Sequence, residues 1–173
     1  MKRKIILAAV LALPVLAAAA DVRVALPASG ALVLPAPEGW RSLEQPGSVP
    51  TVSLPPANGK AFQVLVSPLE RPGAPMPPSD STSLCRTVQS AANHALSQSV
   101  EKSLPLQALR SATVEGCYFS ATDRAPKPGE FKYMTQGAIA VQELPVSFTI
   151  LSNGDPRLAV EPALQMLRAA RKE

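Results

Sequence analysis

The stretch FKYMTQGAIAVQELPVSFTIL, residues 131–151, decides the fold. Two apolar runs, 131–141 and 144–151, flank the dipeptide Gln142-Glu143. Runs of this length, rich in Ile, Val, Phe and Thr and joined by two residues, read as the antiparallel strands of a hairpin. Residues 114–122 supply another strand just upstream, with Tyr118 and Phe119 on opposite faces. Between them, residues 123–130 hold Pro126, Pro128 and Gly129 and read as a charged loop.

Moving towards the N-terminus, Leu84, Val88, Ala91, Ala92, Ala95, Leu96 and Val100 recur at helical spacing. Arg86, Gln89, Ser90, Asn93, Ser97 and Glu101 take the other side. The spacing predicts an amphipathic helix of about eighteen residues that stops before Pro105, with Ser79, Asp80 and Ser81 as N-cap candidates. Membrane binding through such a stripe requires bulky apolar and basic residues, and this helix has neither. Residues 67–83 carry Pro68, Pro72, Pro75, Pro77 and Pro78 and form an extended connector into the helix. A PxxP ligand for a partner domain is the rival reading.

Further upstream, Val22, Val24 and Leu26 alternate with polar or small residues, and Ala31-Leu32-Val33-Leu34 is a second apolar run. It stops at Pro35-Ala36-Pro37-Glu38-Gly39-Trp40, a rigid turn ending in the one tryptophan. Residues 49–54 and 61–66 read as strands on either side of Pro55-Pro56-Ala57-Asn58-Gly59, with Phe62, Val64 and Val66 on one face. At the other end, Asn153-Gly154-Asp155-Pro156 is a stop signal. A terminal helix then lines up Val160, Ala163, Leu164, Leu167 and Ala170. Either it begins at Glu161 with Pro162 in its first position, or it is kinked at Pro162. Arg168, Arg171 and Lys172 suit the negative end of that helix.

The order is strands, helix, strands, helix. Runs of consecutive strands predict an α+β domain: a mostly antiparallel sheet covered by a central helix and a C-terminal helix. Pro37-Glu38-Gly39-Trp40 after an apolar strand, the strand from Phe62 to Val66, the long helix, Phe148-Thr149-Ile150-Leu151 and the terminal helix together resemble the PsbP-like fold. That fold is shared by extrinsic subunits of photosystem II, a Ran-binding import factor and small exported bacterial proteins. The resemblance covers most of residues 31–171. It implies an antiparallel sheet between helices and a binding, chaperone or assembly role, with no common catalytic residues to carry over.

The first twenty residues read as a secretory signal. Lys2, Arg3 and Lys4 precede an apolar stretch from Ile5 to Leu16, and Ala18-Ala19-Ala20 offers small residues for a peptidase. Cleavage is expected between Ala20 and Asp21, or one residue earlier, leaving residues 21–173 as a single α+β domain. A membrane-spanning helix needs roughly 20 apolar residues; residues 5–20 fall short and contain Pro14. No cysteine stands near the cleavage site for lipid attachment, so no membrane anchor is expected after cleavage. The expected compartment is the periplasm or the exterior. The whole chain has a formal charge of +4, with 17 Lys and Arg against 13 Asp and Glu. Three of those cations lie in the signal. The mature chain is thus close to neutral and lacks the clustered basic face that nucleic acid requires.

Cys85 and Cys117 are the two cysteines. In an exported chain an even count reads as a disulfide. A zinc site wants four ligands, and the chain has one histidine, His94. His94 stands nine residues from Cys85 on one predicted helix, too far round to serve a catalytic thiol. Other chemistry is sparse. No Gly-x-Ser-x-Gly elbow, Walker-type loop or dinucleotide fingerprint occurs, so no cofactor, metal site or catalytic residue is assigned. Glu38, Glu44, Glu70 and Asp123 read as isolated loop carboxylates. The reading favours a non-catalytic exported binding or assembly factor whose partner is another protein. An inhibitor or immunity protein against a toxin or hydrolase is the alternative, and an enzyme with an unrecognised site the next. Trp40, Arg71, Met76, Arg124 and Lys127 are the candidate partner contacts, with Trp40 equally suited to a core.

Overall fold

The computed structural model describes all residues except 1–19, 29, 48, 57–60 and 72. The stretch read as an export signal, apart from Ala20, and the turn expected at Asn58-Gly59 therefore lie outside the described residues. The chain is α+β, and among the described residues all strand pairs are antiparallel.

The hairpin at residues 131–151 is the centre of the main sheet. β8 (Tyr133–Val141) pairs with β9 (Leu144–Ser152) through Val141 opposite Leu144. Gln142 and Glu143 turn the chain with φ of 46° and 70°. Both central residues of a two-residue hairpin loop take positive φ because that twist matches the strands. On one side β8 pairs with β7 (Val114–Thr122), and β7 with the edge strand β6 (Gln107–Arg110). On the other, β9 pairs with β5 (Phe62–Pro68), then come β4 (Thr51–Leu54) and β3 (Leu43–Gln45). The order is β3-β4-β5-β9-β8-β7-β6.

Strand alternation divides the interior in two. Val64, Val66, Val114, Tyr118, Ile139, Val146, Phe148 and Ile150 face one core, while Cys117, Phe119, Ala121 and Ala138 face another. Helix α1 (Ser81–Leu96) covers the second face over β7 and β8, burying Leu84, Val88 and Ala92. Its N-cap is Asp80, whose carboxylate accepts the Ser83 N–H at 2.8 Å. The Cys85–Cys117 disulfide ties α1 to β7. The helix is shorter than its sequence period predicts. At residues 97–99 the chain turns alongside β7, and the Val100 N–H bonds the Thr122 carbonyl. Val100 therefore points outward, 60% exposed, and does not extend the apolar stripe.

The other face carries a second layer. β1 (Ala20–Ala25) and β2 (Ala31–Ala36) do not join the main sheet. They form their own sheet with β10 (Arg171–Lys172), in the order β1-β2-β10. Val22, Val24, Leu32 and Leu34 and helix α2 (Arg157–Arg168) close the first core. Two sequence expectations change here. α2 begins at Arg157, before Glu161, because Asp155 accepts the Arg157 N–H and the Pro156 carbonyl takes the N–H groups of Ala159 and Val160. Pro162 thus sits inside the helix, withholding one N–H. Arg171 and Lys172 lie past the helix in β10, and only Arg168 is in its last turn.

Candidate functional site

The sheet has two ends. At the turn end, beside Gln142-Glu143, lie the residue 69–80 connector and the start of α1. Leu69 donates to the Pro145 carbonyl there, and buried Glu70 accepts the Ala28 N–H at 2.8 Å. The far end is where Thr122, Tyr133, Ser152 and Phe62 align across four strands.

A cleft of about 360 Å³ opens at the far end between the first turns of α2 and the sheet. Its α2 wall is Pro156, Arg157, Val160, Glu161 and Leu164. Tyr118, Ser120, Tyr133 and Thr135 line its sheet side, with Glu101 and Gln107 alongside. The cleft exists because the core-facing row of β7 turns polar. Val114, Gly116 and Tyr118 give way to Ser120 and Thr122, and cross-strand Thr135 matches them on β8. Ser and Thr side chains are shorter than the Leu or Ile that would reach α2.

The polar groups in the cleft are ordered by each other. The Tyr118 hydroxyl donates to Gln107 Oε1 at 2.9 Å, and the Ser120 and Thr135 hydroxyls meet at 2.7 Å. Glu101 Oε2 accepts the Thr122 backbone N–H at 3.0 Å, completing the edge of β7 beyond β6. Partial burial acts to raise the Glu101 pKa. Hydrogen bonds from Thr122 and Ser99 outweigh it and hold the carboxyl below its ordinary value. Glu161 Oε1 meets Arg168 Nη1 and Gln165 Nε2, both at 3.3 Å. Arg157 grips Asp155 through Nε and Nη2. Those bonds lower the Asp155 pKa and raise that of Arg157. Val100 and Leu158, the chain neighbours of Glu101 and Arg157, are 60% and 61% exposed.

The sequence-named contacts divide between the ends. Arg71 and Met76 are exposed on the turn-end connector. Trp40 lies at the far end, half-buried, bridged to Pro56 with its ring centre 5.3 Å from that of Phe62. Arg124 and Lys127 are exposed on the far-end loop; Arg124 Nη2 bonds the Ser99 carbonyl at 2.8 Å and Lys127 faces Glu130. None of the five lines the cleft. Of the carboxylates read as isolated in loops, Glu70 is buried and Glu44 sits in β3. His94 is exposed on α1, across the sheet from the cleft. The signal for the cleft was the loss of apolar residues from the core-facing row at Ser120, Thr122 and Thr135.

The disulfide, with Cys117 buried, accords with an oxidising compartment. Among the described residues no helix is long and apolar enough to cross a membrane, and no three His, Cys, Asp or Glu side chains gather as a metal site. The chain matches no protein-family model and no curated protein.

Proposed function

We propose that the chain is exported, cleaved before Asp21, and works in the periplasm or outside the cell as a non-catalytic binding or assembly factor that engages a protein partner through the far end of its sheet. The observation that carries this reading is a mainly apolar cleft that also holds hydroxyl and carboxylate groups, with two exposed apolar residues, Val100 and Leu158, next in the chain to its lining residues Glu101 and Arg157. Isolated surface leucines are ordinary, but an apolar concavity with a few polar groups and exposed apolar residues near it has the make-up of a recognition patch. The PsbP-like relationship remains part of the proposal, supported by helices on both faces of an antiparallel sheet.

The test is photo-crosslinking in cells that export the protein, with a photoreactive residue at Val100, Leu158 or, as control, Met76. One partner captured from Val100 and Leu158 and not from Met76 is expected. Equal capture from all three, or none, overturns the reading. N-terminal sequencing of the same material is expected to begin at Asp21.

An enzymatic reading has one observation in its favour, since the cleft gathers Glu101, Glu161 and both tyrosines. Against it, Glu161 is engaged by Arg168 and Gln165, and the one histidine is on the opposite face. Turnover that is lost in Glu161→Gln would revive it.

A further inference from the structure

We propose that the cleft beneath the start of α2 recognises a cationic N–H donor, an ammonium or guanidinium group, carried either by a partner's lysine or arginine side chain or by a free small amine. This rests on the binding reading above and names the chemistry of the group accepted.

Three of the groups lining the cleft are charged: Glu101, Glu161 and Arg157. Arg157 is neutralised by Asp155 and Glu161 by Arg168. Glu101 makes no ion pair among the described residues; its carboxylate is engaged only by uncharged donors, the Thr122 N–H at Oε2 and hydrogen bonds with the Thr122 and Ser99 side chains. The cleft therefore keeps one uncompensated carboxylate. Acceptor capacity also exceeds donor capacity nearby. The Tyr118 hydroxyl spends its proton on Gln107, so its oxygen lone pairs are left to accept. Ser120 and Thr135 share one of their two hydroxyl protons in their mutual bond. An ammonium, with three donors, or a guanidinium, with five, matches such a surface. Val100 and Leu158 beside the cleft suit the apolar stem that precedes a lysine or guanidinium head.

The test uses residues 21–173, labelled with nitrogen-15 and titrated separately with Nα-acetyl-lysine methylamide, the arginine counterpart, spermidine and the neutral norleucine derivative. Saturable shifts at the Ser120, Thr122 and Thr135 amides are expected with cations and absent with norleucine. A stronger response to the lysine or arginine derivative assigns the source to a partner side chain; a stronger response to spermidine assigns it to a free amine. Glu101→Gln keeps an acceptor for the Thr122 N–H and is expected to weaken binding at least tenfold, whereas Glu115→Gln, an exposed carboxylate on β7, leaves it unchanged. Tyr118→Phe is a second variant, expected to weaken binding with the carboxylate intact. No saturable shift with any cation, or equal affinity in Glu101→Gln, overturns the proposal. A partner that crosslinks from Val100 and Leu158 equally well with Glu101→Gln overturns this inference and leaves the binding reading standing. Amine binding without crosslinks does the reverse.

Discussion

Cys85 on α1 and Cys117 on β7 are joined by a disulfide with their Cα atoms 5.6 Å apart, so α1 is covalently fixed to the sheet it covers. The bond spans 32 positions of sequence. A loop of this size is worth about 3–4 kcal/mol in the chain-entropy model of disulfide stabilisation. The double variant Cys85→Ala, Cys117→Ala is expected to lose that much in denaturant unfolding. Dithiothreitol should produce a comparable loss in the parent and no change in the variant. An unfolding midpoint indifferent to both would show that the helix holds by packing alone.

Gly137 on β8 makes the second prediction. A Cβ there would lie 2.5 Å from the Cys117 carbonyl oxygen and 2.5 Å from the Phe148 ring. Phe148, its register partner on β9, occupies the space that a side chain would need. Overpacking of this kind costs about 1–3 kcal/mol. Gly137→Ala should show that loss in thermal or urea unfolding, while Gly154→Ala, with open space around its Cβ, should not. Equal stability of the two variants would contradict the packing.

These elements also show what sequence can and cannot reveal. The strands β7, β8 and β9 are legible because each is a nine-residue run bounded by turn or loop residues. The edge strands β3, β6 and β10 are not. They hold three, four and two residues, and Leu109 is the one buried residue among Leu43–Gln45 and Gln107–Arg110. Nothing local in β1 and β2 says that they leave the main sheet. That choice depends on Arg171 and Lys172, some 140 positions away, pairing with Val33 and Leu32. The cleft is hidden for the same reason. Glu101, Tyr118, Tyr133 and Glu161 come from separate segments, and only the polar turn in the β7 row was visible locally.

The hairpin turn offers a stabilising change. Glu143 holds φ of 70°, a left-handed conformation that costs a residue with a side chain roughly 1–2 kcal/mol and glycine much less. Its neighbour Gln142 is a poor target, because its Oε1 accepts the Lys172 N–H at 2.9 Å and so helps to seat β10. Glu143→Gly is expected to raise stability by about 0.5–1 kcal/mol, the relief less the extra entropy of glycine in the unfolded chain. Chemical unfolding reads this directly. A loss of stability would mean that Glu143 makes a contribution beyond its backbone.

Glu101 sets a pH dependence whose sign follows from its environment. Burial disfavours its charge, yet the hydrogen bonds from Thr122 and Ser99 prevail, so its folded pKa lies below the unfolded value. A depressed carboxyl contributes stability that is fully present above the unfolded pKa and disappears as pH falls through the folded one. The native chain should therefore lose stability from about pH 5 downward. Asp80, Asp155 and Glu173 are depressed as well and add to the same limb. Comparison with Glu101→Gln isolates one group, since the other three are common to both proteins. At neutral pH the parent is expected to be the more stable, because only it offers the Thr122 N–H a charged acceptor. As Glu101 takes up its proton it becomes chemically like glutamine, and the two stability curves should converge. Urea midpoints measured between neutral and strongly acid pH decide the matter. A gap that stays constant across that range would place the Glu101 contribution in packing and remove its charge from the account.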